Sequence, residues 1–344
     1  MCDARAVRIV NLADVRAGAP SRVAPVDTLR MMSVNDATPV FFFDRVLPDG
    51  VAELVEGRAV VVGPDDDDLP HADAVIAGAR RWDGRSMDLA PRLRVISRTG
   101  VGYDTVDVEA AMSRGIAVCY APDAPTVSTA EHTIALILAV TKDISGWADR
   151  SAVAPGAPPG IELDGRTLGL FGFGRIARRV ATAGRALGLH VIAHDPFVDA
   201  DTADVTRVEA DDLWRRSDVV SLHAPATPAT YHVVDAAVLG AMRPGSFLVN
   251  CARGSLVDHD ALLDALQCGH LAGAGLDVTE PEPLPDDHPL RRQGRVVITP
   301  HIASQTSVGR LRLYADAIDN AFAVLSGAGG CLIPEQRLAA ESVR

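Results

Sequence analysis

Aromatic side chains are scarce in this 344-residue chain, at 4%, so its interior has to be built from Ala, Val, Leu and Ile. Lysine is scarcer still: Lys142 is the single one, and every other basic residue apart from histidine is arginine. An excess of positive charge is missing too. A formal net charge of −12 argues against broad binding to nucleic acid or to an anionic membrane, while leaving room for a local patch that holds one small anion. The five cysteines, Cys2, Cys119, Cys251, Cys268 and Cys331, are odd in number and scattered, with no C-x-x-C pair. That fits a reducing compartment better than a disulfide framework. No run approaches eighteen apolar residues and no apolar leader opens the chain, so the expectation is a soluble, cytoplasmic protein. No internal repeat is evident. What remains is 48% apolar and 23% charged residues, enough for about two ordinary domains and unlike collagen, coiled coil or disorder.

Residues 1–36 carry five arginines and two prolines with little periodicity, and read as an extension with one short strand at Val7–Val10. From Pro39 short apolar runs alternate with helical stretches: strands at Val40–Phe43, Ala59–Val62, Ala74–Ile76 and Arg94–Ile96, and part of a helix at Val51–Val55. This is the pattern of an α/β fold with a covered parallel sheet. The acids Asp65–Asp68 read as a solvated loop rather than a metal site. A long apolar helix over Thr126–Val140 follows, then a Pro/Gly/Ala-rich break at Ala154–Gly160. The pattern restarts with strand Leu168–Phe171, helix Ile176–Leu187 and strand Val191–His194. Strands at Val219–Leu222, Phe247–Asn250, Gly275–Asp277 and Val296–Ile298 come after it. The last helix, Thr306–Leu325, has no strand left to serve in the second unit and is free to return to the first.

Residues 168–177 read Leu-Gly-Leu-Phe-Gly-Phe-Gly-Arg-Ile-Ala, a G-x-G-x-x-A placed after a strand and opening a helix. Gly172 permits the tight turn, Gly174 lets backbone approach a pyrophosphate, and Ala177 is small enough for helix–strand packing. The free N–H groups of the helix start suit a diphosphate. Glycines alone also serve ordinary strand-to-helix turns. The next strand, however, ends in His194-Asp195-Pro196, where an acid accepts hydrogen bonds from the adenosine ribose and repels a 2′-phosphate. Together these features imply a dinucleotide site, and NAD rather than NADP.

Three ionisable residues fall just beyond apolar strands: Arg253 in Asn-Cys-Ala-Arg-Gly-Ser, Glu282 in Val-Thr-Glu-Pro-Glu-Pro and His301 in Thr-Pro-His-Ile-Ala-Ser. Singly, each is an ordinary surface residue. Together, at the strand ends that line the crevice of an open α/β sheet, they form a candidate acid/base and anion-binding set.

Several ordered motifs now carry a resemblance. They are Arg98–Asp104 (Arg-Thr-Gly-Val-Gly-Tyr-Asp), Thr129–His132 (Thr-Ala-Glu-His), the glycine loop, Ser221–Pro225, Asn250–Asp258, Gly275–Pro283 and Thr299–Ser304. Over about residues 38–330 the chain resembles the D-isomer-specific 2-hydroxyacid dehydrogenase family, nearer its phosphoglycerate dehydrogenase-like branch. The resemblance implies a Rossmann-type NAD domain, residues 126–304, inserted into a flavodoxin-like substrate domain of residues 37–125 and 305–330. Both have parallel sheets, and residues 331–344 form a short tail without a regulatory domain.

The resemblance further implies His301 as acid/base, Glu282 as its carboxylate partner and Arg253 as the substrate-orienting residue, with Glu280 the second choice after Glu282. It places Val101 and Gly102 N–H groups on a substrate carboxylate, Arg175 and Ile176 at the diphosphate, Cys251 beside the nicotinamide ribose and Asp277 at the carboxamide. Cys251 reads equally well as a small buried filler, and His223 as a structural group. A carboxylate beside an imidazole orients the ring and favours its charged form, and an arginine fork binds carboxylate and carbonyl oxygens together. The family also implies hinge closure and a homodimer joined through the helix after Thr-Ala-Glu-His. The partner is then a small anionic substrate, not nucleic acid or membrane.

Arg80, Arg81 and Trp82 follow a strand, and read either as a pair for a distal phosphate, phosphonate or carboxylate or as an exposed helix start. Two rival functions stay open: an NAD(H)-sensing, corepressor-like module, and phosphite oxidation on the same scaffold. For formate oxidation, the Glu282–His301 pair is the wrong one, since the family's formate enzymes resemble a Gln–His pairing.

Overall fold

Strands of two to six residues, most of them joined through helices, have no hairpin partner beside them, so they pair parallel across crossovers. The structure, a computed structural model, describes residues 38–148, 159–198 and 204–341. The chain divides into two units at Ala124/Pro125 and again at Gly309/Arg310. Val7–Val10 and most of the Ala154–Gly160 loop lie outside the described residues.

The first unit contains β1 (Val40–Phe43), β2 (Val60–Val62), β3 (Ala74–Ala77), β4 (Val95–Arg98) and β5 (Ala117–Cys119). All pair parallel, in the order β2-β1-β3-β4-β5. This is the flavodoxin-like doubly wound order, whose winding reverses between β1 and β3. Alternation along β1 splits its side chains between two cores. Phe42 meets Trp82 edge-on at 6.0 Å on one face. Phe41 and Phe43 pack on the other, where Phe43 stacks with Tyr314 at 6.3 Å. Tyr314, Ala317, Ile318 and Ala321 belong to the helix Ser307–Leu325, so the final helix serves this first sheet.

Residues 331–341 are not a tail. Ile333 is fully buried, and Gln336 accepts from the Val118 N–H and donates to the Ile116 carbonyl, so the helix Pro334–Glu341 is stitched to β5. The acids at Asp65–Asp68 run into a 3-10 turn, Asp66–His71. There Asp68 accepts from the Gly63 N–H and Asp66 pairs with Arg80.

The second unit contains β6 (Thr167–Phe171), β7 (His190–His194), β8 (Thr206–Arg207), β9 (Val219–Leu222), β10 (Ser246–Asn250), β11 (Leu271–Leu276) and β12 (Val296–Ile298). They too are all parallel, in the order β12-β11-β10-β9-β6-β7-β8. The chain starts mid-sheet, winds outward to β8, returns to β9 and winds the other way. The reversal between β6 and β9 opens a crevice at the C-terminal ends of the strands, the Rossmann arrangement. The helix Thr126–Lys142 buries Leu136, Ile137 and Val140 in one core with Phe247 and Val249 of β10. Gly275 on β11 makes room for it, since a Cβ there would lie 3.1 Å from that of Leu136.

Candidate active site

The cradle begins where β6 ends. Gly172 has φ 91°, and a Cβ on it would press on the His223 carbonyl and the Ala224 N–H at 2.8–2.9 Å, so the turn itself demands glycine. Gly174 is different: a Cβ there would meet no atom of the chain within 4 Å. Its bareness serves nothing inside the protein and suits close approach by a ligand. The helix Arg175–Ala186 starts at Gly174 with no side-chain cap, so the N–H groups of its first turn, those of Ile176 and the buried Ala177 among them, meet no capping side chain and suit an anion. Asp195, at the end of β7, accepts from the Phe173 N–H at 2.8 Å and the Phe197 N–H at 2.9 Å, which ties the acid to the glycine loop. Beside it lies a hollow lined by Phe173, Ala193, Asp195, Val198, Val205 and Arg207, apolar inside with one acid and one base.

A second cluster forms at the ends of β10, β11 and β12. The buried Asn250 amide closes the turn after β10, accepting from the Ala252 N–H and donating to the Arg253 carbonyl at 2.7 Å. Arg253 donates from Nη1 to the Ala252 carbonyl at 2.7 Å. Gly254 lets this turn lie against the Thr279 carbonyl, where a Cβ would collide.

Asp277 follows β11 with its side chain 1% exposed. Its Oδ1 accepts from Thr299 Oγ1 at 2.6 Å and the Ile302 N–H at 2.8 Å, and its Oδ2 from the Ala303 N–H at 2.9 Å. His132 Nε2 stands 3.4 Å from Oδ1 and 3.0 Å from Thr299 Oγ1. Thr299 gives its one proton to Asp277, so His132 carries a proton on Nε2 and shares it between Thr299 Oγ1 and, at longer range, Asp277 Oδ1. Burial pushes the Asp277 carboxyl up, but the hydrogen bonds from His132, Thr299, Ile302 and Ala303 outweigh it and hold the group below the ordinary carboxylate value. The carboxylate is therefore the anchor of loop 299–303.

His301 sits at the apex of that loop with φ 52°, a left-handed conformation held by its N–H donating to the Asp277 carbonyl at 2.8 Å. Its Nδ1 lies 2.7 Å from Glu282 Oε1. A carboxylate only accepts, so Nδ1 carries the proton and Nε2 is the nitrogen turned away from Glu282. Glu280 goes elsewhere, 3.3 Å from His232 Nε2.

Of the remaining expectations in this unit, Cys251 is packed in by neighbours that push its thiol up to about 12, so it is neutral at pH 7. His223 is pushed down to about 4 by its surroundings and shares a 2.9 Å hydrogen bond with Ser221 Oγ, which makes it a neutral structural group. In the first unit, Val101 and Gly102 follow β4, and Arg98 holds their turn by donating to the Gly102 carbonyl at 2.9 Å. Arg80 and Arg81 do not act as a pair. Arg80 is bound to Asp66 at 2.6 Å and lies over the buried Trp82 ring at 4.8 Å, while Arg81 points to solvent.

Residues 134–303 match the family model described as D-isomer specific 2-hydroxyacid dehydrogenase, NAD binding domain. A glyoxylate reductase from Thermofilum pendens is 38% identical over 320 residues, which cover 85% of this chain and 93% of that one. The chain belongs to the D-isomer specific 2-hydroxyacid dehydrogenase family. A D-3-phosphoglycerate dehydrogenase from Mycobacterium tuberculosis is 39% identical over 302 residues, 84% of this chain but only 57% of that protein. The chain thus spans little more than half the length of such phosphoglycerate dehydrogenase relatives. Among solved structures, the TT0316 protein from Thermus thermophilus is 39% identical, with 84% of this chain and 97% of that one covered at a TM-score of 0.78.

The second unit is therefore the family's NAD-binding domain, and its residues fit that cofactor. The uncapped helix start suits a diphosphate, the bare Gly174 lets backbone approach it closely, and Asp195, tied to the glycine loop, suits the adenosine ribose hydroxyls. His132, Asn250 and Thr299 stand inside the motifs that carry the resemblance, but the sequence alone gives them no role of their own. A polar Asn closing an apolar strand was the one available signal, whereas His132 and Thr299 are 167 residues apart and meet only in the fold. No helix among the described residues is long and apolar enough to cross a membrane.

Proposed function

We propose that the protein is an NAD-dependent dehydrogenase that moves a hydride between nicotinamide and C2 of a D-2-hydroxy or 2-oxo acid. The observation that carries the reading is the 2.7 Å Glu282–His301 pair, presented by an anchored loop of a domain built for NAD. Bound in its cradle, the dinucleotide supplies or takes the hydride.

The chain's own residues do the rest. In reduction, His301 gives the proton at Nε2 to the oxygen on C2, and in oxidation it takes that proton back. Glu282 holds the ring at Nδ1 and balances the imidazolium charge. Arg253 orients the substrate, its fork matching carboxylate and carbonyl oxygens. Val101 and Gly102 offer N–H groups that donate to no other described residue, suited to the substrate carboxylate. Gly172, Gly174, Arg175 and Ile176 hold the diphosphate, and Asp195 the adenosine ribose. Cys251 lines the nicotinamide side, with Asp277 behind it setting loop 299–303. We further propose a cytoplasmic homodimer joined through Thr126–Lys142, on which Ile134 and Leu138 stay half-buried. Sedimentation as a monomer at micromolar concentration refutes that assembly.

The test is a panel of 2-oxo acids and D- and L-2-hydroxy acids, with phosphite included, followed by NADH absorbance. Turnover confined to 2-oxo and D-2-hydroxy acids is expected. Turnover of phosphite alone refutes the substrate class, and silence on the whole panel with NADH still bound favours the sensing module.

A further inference from the structure

At the C-terminal edge of the first sheet, β1 is followed by Asp44 and Arg45, and β3 by Gly78. The winding reverses between these two strands, which is where a doubly wound sheet opens its crevice. Arg45 packs its guanidinium against Gly78: a Cβ at position 78 would collide with the guanidinium atoms, so glycine leaves the arginine its seat. Asp44, its side chain 1% exposed, fixes both partners. Its Oδ2 accepts from the Gly78 N–H at 2.7 Å, and its Oδ1 stands 3.5 Å from Arg45 Nε. The outer nitrogens of Arg45 have no carboxylate partner among the described residues, and the side chain is 43% exposed. Tyr314, stacked on Phe43, has Arg45, Asp44 and Arg310 as charged neighbours.

This seat adjoins the turn that carries Val101 and Gly102. Ala77, the residue before Gly78, accepts at its carbonyl from Arg98 Nη1 at 3.1 Å, and Arg98 Nε donates to the Gly102 carbonyl at 2.9 Å. The ends of β3 and β4 are one strand spacing apart, about 4.8 Å, a distance that a short acid with charges at both ends spans. Arg80, which follows β3, is taken up by Asp66 and Trp82, and Arg81 beside it is exposed.

We propose that Arg45 is the specificity-determining residue of this protein and binds a second anionic group, so that the preferred substrates are 2-hydroxy or 2-oxo acids with a distal carboxylate or phosphate. The inference rests on the hydride-transfer reading above and names its substrate class.

The experiment measures kcat/KM for NADH-dependent reduction of pyruvate, oxaloacetate and 3-phosphohydroxypyruvate by wild type, Arg45→Gln and Gly78→Ala. Gly78→Ala keeps the arginine but pushes it off its seat, and its only cost is moving the far end of a flexible side chain. Wild type is expected to favour one of the two doubly charged acids over pyruvate by tenfold or more, the better one telling carboxylate from phosphate. Both variants should lower that ratio about tenfold to a hundredfold, the worth of one charge-assisted hydrogen bond. A wild-type preference for pyruvate, or ratios within threefold of wild type in both variants, overturns the role of Arg45 while leaving hydride transfer standing. Wild type inactive on all three and on the wider panel overturns the hydride-transfer reading, and this proposal with it.

Discussion

Replacing Asp277 with asparagine should loosen the loop that presents His301 while changing no atom of His301 or Glu282. The wild-type carboxylate takes three hydrogen bonds of 2.6–2.9 Å, from Thr299, Ile302 and Ala303, inside a site where its side chain is 1% exposed. The amide turns one acceptor into a donor. If Nδ2 takes the Oδ2 position it faces the Ala303 N–H, which leaves a buried donor unpaired at a cost of about 1–3 kcal/mol. The bonds that survive lose their charge assistance, and the total comes to roughly 3–5 kcal/mol. That is a large share of the 5–15 kcal/mol typical of a domain.

The pH dependence has a definite sign. Asp277 titrates below its ordinary value in the folded state, so its contribution is complete above the unfolded carboxylate value of 3.8 and is lost as pH falls through the lower folded value. Asp277→Asn should therefore be destabilised throughout the neutral range and should lack that acid-side loss. Urea unfolding at pH 7 with hydrogen exchange at the Ile302 and Ala303 amides measures both effects. A variant within 1 kcal/mol of wild type, with both amides still protected, refutes the anchoring argument.

Gly174→Val should fold as wild type does, because the position opens on empty space, yet lose NADH affinity tenfold or more by fluorescence titration; Gly172→Val, at φ 91°, should instead lower the melting temperature. Asp195→Ala should narrow the preference for NAD over NADP by at least tenfold in kcat/KM, since the acid that repels a 2′-phosphate is gone while Arg207 in the same hollow stays. His223, titrating near 4 when folded and near 6.5 when unfolded, binds fewer protons in the folded state between those values. Stability should then fall as pH drops from 6.5 toward 4, and His223→Gln should flatten that segment of a urea-midpoint profile.

Both sheets were legible wherever strands were rich in β-branched or aromatic residues, as at Val40–Phe43 and Val219–Leu222. β5 and β8 were not, because Ala-Val-Cys and Thr-Arg hold one β-branched residue each. Only the end of β11 was recognised. Its Leu-Ala-Gly-Ala-Gly-Leu run looks unlike a strand, since its glycines answer tertiary demands, the Arg295 carbonyl against Gly273 and Leu136 against Gly275. Residues 331–341 were missed because one apolar residue, Ile333, and one amide, Gln336, dock an otherwise polar helix. The glycine loop and the Glu282–His301 spacing were legible because each is local to a strand end. The support beneath them, from His132 through Thr299 to Asp277, draws on three elements far apart in sequence, and only folding brings it together.

In the proposed mechanism His301 moves the proton that accompanies the hydride. Single-turnover reduction of the best 2-oxo acid by enzyme-bound NADH, comparing wild type with His301→Asn, tests it most directly when NADH affinity is titrated alongside. A rate about 10²–10⁴-fold below wild type with NADH affinity unchanged is the expected result. A variant that turns over within a few-fold of wild type contradicts the account.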